Sequence, residues 1–142
     1  MFGNDRDSMR RYYWQAWTKF QQKQPMDALE QQVAAVIKEH PEYQRGLAQT
    51  DKMLQRDYLP ENGETNPFLH MGLHLGIREQ VATNRPTGIS TAYQQLVLKY
   101  GAHAAEHRMM DCLAESMWLA QRYNTAPDEA AYLARLTQLL EA

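Results

Sequence analysis

The sequence predicts an all-α fold, a single-domain helical bundle of about six helices, on three observations. Apolar side chains recur at the 3.6-residue helical period along the chain, and no segment alternates with the period of two that a strand requires. Proline, glycine and asparagine fall between these periodic stretches, where helices start and stop. The 142 residues, 44% apolar and 23% charged, suffice for one domain with a real core and no structural disulfide or metal.

The first helix is expected over about residues 8–22, with Met9, Tyr13, Trp17 and Phe20 on one side and Arg10, Arg11 and Lys19 around them. A second runs from about Pro25 to His40 with the stripe Leu29, Val33, Val36 and Ile37, and Pro41 follows it. Residues 41–58 read as short helical pieces, Tyr43 with Leu47 and then Leu54 with Tyr58, broken near Gly46. The segment LPENGETN, residues 59–66, is the clearest loop. Asn66 then caps a helix whose first residue is Pro67 and which extends to about Thr83. The turn NRPTG leads to a helix carrying Ile89, Tyr93, Leu96, Val97 and Tyr100, which Gly101 can close in a left-handed cap. A long helix spans about 102–123, and a last one opens at Pro127 and displays Leu133, Leu136 and Leu140. The helix near 67–83 is apolar nearly all round, which places it centrally, packed on the long helix.

A net charge of −2 makes no case for nucleic acid or an anionic membrane surface. Cys112 is the only cysteine, so no disulfide forms within the chain, as suits a reducing cytoplasm. The opening MFGNDRDSMRRYYW carries charges where a secretory signal has an apolar core, and no apolar run approaches the roughly 20 residues of a membrane span. A cytoplasmic protein is expected.

Four of the five histidines form two pairs at one spacing, HMGLH (His70, His74) and HAAEH (His103, His107). Side chains four apart share a helix face at about 5–6 Å, within reach of one ion. One such pair on each of two facing helices is how bundles build internal metal sites. His70 and His74 share an arc with Ile77 and Val81. His103 and His107 edge the stripe of Met110, Leu113, Ala114 and Met117, with Glu106 inside it and Asp111 one turn beyond His107. A buried carboxylate between histidines wants a cation, a proton or a donor. The candidate metal ligands are therefore His70, His74, His103, His107 and Asp111, and imidazole-rich ligation suits zinc, iron, copper or nickel. The other reading is a buried polar network in a non-enzymatic interaction module, with Tyr93, Tyr100, Glu106 and Asp111 as partners; unrelated surface histidines are the third. HAAEH also matches the inverted zinc-protease pattern H-x-x-E-H, with Glu106 as general base of a metal-dependent hydrolase, but the short helical context fits that class poorly. His40 ends its helix, where a cap role is expected.

Gly72 and Gly76 form a small stripe away from the histidines. Each costs about 1 kcal/mol against alanine in a helix interior, which a close helix–helix approach would offset. The RRYYWQAWTKF segment mixes bases with aromatics; given the net charge, a docked helix or a contact with a protein partner or second copy is expected, rather than stacking on nucleic acid. Cys112 points away from the histidine face, and Met109, Met110 and Met117 read as core filler.

The string NPFLHMGLHLGIREQVATNRPTGI, with HPEY before it and HAAEHRMMDCLAE and PDEAAYL after, resembles the proteobacterial family known as domain of unknown function 1841, over nearly the whole chain. The resemblance implies a small, helical, stand-alone bacterial cytoplasmic protein. It brings no activity, cofactor or catalytic residue, and it shifts weight from Glu106 toward the carboxylate of Asp111.

Overall fold

A computed structural model describes residues 5–48, 56, 58 and 66–141. Among these residues the fold is all-helical, with seven helices: α1 (Asp5–Gln21), α2 (Ala28–Lys38), α3 (Pro41–Ala48), α4 (Pro67–Thr83), α5 (Ile89–Tyr100), α6 (Ala102–Arg122) and α7 (Glu129–Glu141). The seventh beyond the expected six is α3, which runs through Gly46 without a break. The expected loop at 59–66 lies outside the described residues apart from Asn66. The chain forms two compact units, residues 1–72 and 73–142, and the division falls within α4.

In the first unit α2 packs against α1 and α3. Tyr13, Ala16 and Trp17 of α1 are buried, as are Val33, Ala34, Val36 and Ile37 of α2 and Leu47 of α3. The expected α1 stripe is rotated: Met9 is 52% exposed, and Arg10 takes the inner position at 5%. Arg10 is tolerated there because Nη1 donates to the Arg56 carbonyl at 2.8 Å and the guanidinium lies 4.9 Å from the Phe68 ring centroid. The start of α2 is also later than Pro25. Asp27 accepts from the Glu30 N–H at 2.8 Å while its own N–H donates to the Glu30 carboxylate at 3.0 Å. This reciprocal capping box fixes the first turn after Asp27. Leu29, expected in the stripe, is left half-exposed.

The second unit is built on α5, α6 and α7, each packed against the other two. Its core joins Ile77 of α4 to Ile89, Leu96, Ala105, Met109, Met110, Cys112, Tyr132 and Leu136. Because α6 packs against two helices, its buried face is wider and turned from the expected stripe: Met109 and Cys112 are inside, while Ala114 and Met117 face solvent. The turn before α5 is held by Asn84, at φ 53°, whose side chain accepts from the N–H groups of Gly88 and Ser90 at 3.1 Å each. Gly101 ends α5 at φ 86°, where its N–H donates to the Val97 carbonyl at 2.8 Å. Lys99 and Tyr100, at the end of α5, reach the last turn of α7. The Lys99 ammonium donates to the carbonyls of Leu139 (3.2 Å) and Leu140 (2.9 Å), and the Tyr100 hydroxyl to that of Leu139 (2.7 Å).

The glycine stripe of α4 is less crowded than expected. Among the described residues, a Cβ on Gly72 would meet the Tyr13 hydroxyl at 3.7 Å, and one on Gly76 the Leu113 Cδ2 at 3.4 Å. Both are contacts with side chains.

Candidate metal centre

The histidine face of α4 is set by how that helix begins. Asn66 Oδ1 accepts from the N–H groups of Phe68 (3.0 Å) and Leu69 (3.3 Å), and Pro67 occupies the first position, where no N–H is needed. From this start Met71, His74 and Ile77 come to the buried side, and His70, one turn before His74, is half-buried.

In the first unit His70 meets His40. His40 sits between α2 and α3, because Pro41 disfavours a helical conformation in the residue before it. It is 8% exposed, and its Nδ1 lies 2.7 Å from the Val36 carbonyl in the last turn of α2. A carbonyl only accepts, so Nδ1 is the donor. The cap role expected of His40 is therefore real, and the same bond aims its ring. That ring stacks on Tyr43 (5.2 Å, 6°) and stands edge-on to His70 (5.1 Å, 78°). Burial, with Glu42 nearby, raises the Tyr43 phenol above its ordinary range, so it stays protonated at neutral pH. Ligand nitrogens of His40 and His70 lie within 4.8 Å of each other, and so do those of His70 and His74 on successive turns of α4.

In the second unit His74 is 3% exposed and its Nδ1 is hydrogen-bonded to Glu106 of α6. Arg78, one turn beyond His74, grips the same carboxylate: Nη2 to Oε1 at 3.0 Å and Nε to Oε1 and Oε2 at 3.1 and 3.3 Å. Burial pushes the Glu106 carboxyl up, but the bonds from His74 and Arg78 outweigh it and hold it below the usual range. The His74 ring meets His107 edge-on at 4.7 Å and 85°, and His107 meets His103 at 4.3 Å and 43°. The Nδ1 of His107 lies 2.9 Å from the His103 carbonyl, to which it donates. Exposure rises along this row, from buried His74 through half-buried His107 to exposed His103.

One histidine of each HxxxH pair meets the other in the second unit, His74 and His107. Among the described residues, however, His103, His107 and Asp111 belong to no set of three His, Cys, Asp or Glu side chains with ligand atoms within 4.8 Å of one another. Asp111 is exposed. Cys112 is buried, and that burial, with Asp111 and Glu115 adding to it, raises its thiol, so it is no ready thiolate ligand. Sequence reasoning missed two participants. His40 precedes His70 by 30 residues and shares no helix with it, so periodicity could not find it. Arg78 was legible, since it extends the row His70–His74 by one more turn.

Among the described residues no helix is long and apolar enough to cross a membrane. Comparison with curated proteins and with solved structures gives no match. The family model described as "Domain of unknown function (DUF1841)" matches residues 5–138, nearly the whole chain, and the protein belongs to that family.

Proposed function

We propose that the protein binds a transition-metal ion on the histidine face of α4, with His70 and His74, on successive turns of that helix, as ligands. The observation that carries this reading is the orientation of the rings. Histidines that ligate metals usually donate their second nitrogen to a carbonyl or a carboxylate, which fixes the tautomer and strengthens the ligand. His74 is so bonded to Glu106, and a ligand nitrogen of His70 lies within 4.8 Å of one of His74. The set keeps His70 and His74 of those expected from sequence and leaves His103, His107 and Asp111 outside the first ring of ligands. Imidazole ligation suits zinc, iron, copper or nickel, and the remaining positions would be left for water or a substrate.

Glu106 then orients His74. A carboxylate held ionised by an arginine and a histidine is a weak base, which argues against a hydrolase using HAAEH. The second reading is an interaction module in which the histidines serve only as a buried polar network, and the closed His74–Glu106–Arg78 triad favours it. Elemental analysis of protein purified without chelator or affinity-column metal separates the two. The metal reading expects about one equivalent per chain, lost in both His70→Ala and His74→Ala. Metal-free protein whose melting temperature ignores added zinc and iron establishes the polar network instead.

A further inference from the structure

The row of imidazoles leading away from His74 has no place in that ligand set. We infer that His103, His107 and His74 form an uptake path, along which a divalent transition-metal ion passes from solvent to the histidines of α4. The inference rests on the metal-binding reading above. Three features support it. First, the rings follow one another at 4.3 and 4.7 Å, so an ion bound to one imidazole is within reach of the next before it leaves the first. Second, exposure falls along the row, from open His103 to buried His74. Third, His103 and His107 are an i, i+4 pair on one helix, a spacing that lets two imidazoles take one ion at the surface.

The electrostatics direct the ion inward. His103 is the second residue of α6, at the positive end of the helix dipole, where a cation is poorly held. One turn further the Glu106 carboxylate stands beside His74. The cations near the row are already engaged: Arg78 with Glu106, and Arg108 over the Tyr100 ring at 4.1 Å. The transfer exchanges one neutral imidazole for another on the ion. No electron moves, and the oxidation state is unchanged. Capture at the surface pair makes the next step intramolecular, which raises the loading rate without any new contact in the final site.

A path and a ligand are distinguished by kinetics. Cobalt(II) uptake by the full metal-free chain is followed by stopped-flow absorbance, with release followed by chelator competition, in wild type, His103→Ala and His103→Gln. The inference expects both variants to load at least about tenfold more slowly and to release more slowly by the same factor, with stoichiometry and Kd nearly unchanged. Loading at the wild-type rate overturns it. A loss of stoichiometry or a weaker Kd also overturns it, because His103 is then a ligand of the site. Wild-type protein that takes up no cobalt fails earlier, and refutes the metal-binding reading together with the path.

Discussion

Replacing Glu106 with leucine removes the acceptor on which His74 and Arg78 converge. The Glu106 side chain is 11% exposed, that of His74 4% and that of Arg78 32%. Deleting one partner of a buried ion pair typically costs about 3–5 kcal/mol, because the other charge is left unpaired. Arg78 is one-third exposed, so water recovers part of its solvation. His74 loses one acceptor, worth about 1–3 kcal/mol when the group is buried. Leucine returns some apolar burial, so the expected net loss is about 2–4 kcal/mol. Glu106→Gln keeps an acceptor oxygen and should lose about 1–2 kcal/mol. Urea unfolding followed by far-ultraviolet circular dichroism and tryptophan fluorescence measures both.

The pH dependence carries a sign. The folded carboxyl titrates below its unfolded value, near 4.3, so its contribution is complete above that pH and is lost as pH falls through the folded pKa. The gap between wild type and Glu106→Gln should hold steady from about pH 5 to 7 and close on acidification below about pH 4. A leucine variant within about 0.5 kcal/mol of wild type at pH 7 would show that the triad contributes nothing, and the reasoning would fail.

Other substitutions test the helices that carry the site. Asn66→Ala removes both cap bonds at the start of α4 and should cost about 1 kcal/mol, read as a lower thermal midpoint; an unchanged midpoint refutes the cap. Gly72→Ala places its Cβ at an ordinary 3.7 Å from the Tyr13 hydroxyl, so helix propensity should prevail and stabilise by about 0.5–1 kcal/mol; destabilisation would mean that the glycine is needed for close approach. Leu136→Ala empties a fully buried position between α7 and the second unit's core and should cost about 2–5 kcal/mol in chemical denaturation.

Helix boundaries set by local chemistry were legible in the sequence. Asn66–Pro67 marks the start of α4 and Gly101 the end of α5, because each signal acts within one turn. The later start of α2 is equally local: the Asp27–Glu30 capping box lies in the letters just after Pro25 and acts within one turn. Which face of a helix is buried was less legible. Arg10 is inside α1 because its partners, Arg56 and Phe68, come from 46 and 58 positions away, and no periodicity carries that information. The site divides the same way. The two equal spacings flag His74 and His107, which meet at 4.7 Å, whereas His40 comes to His70 through a helix junction fixed by Pro41.

The bonds from Lys99 and Tyr100 to the last carbonyls of α7 bear on how the chain is made. The acceptors, Leu139 and Leu140, are synthesised some 40 residues after their donors. Helices α5 and α6 therefore leave the ribosome with apolar faces that wait for α7, and the second unit cannot close until synthesis has passed Leu140. In the first unit Arg10 of α1 likewise waits for the Arg56 carbonyl and the Phe68 ring. A stall before the last turn of α7 would leave α5 and α6 with an open apolar surface, the state that chaperones hold and proteases remove.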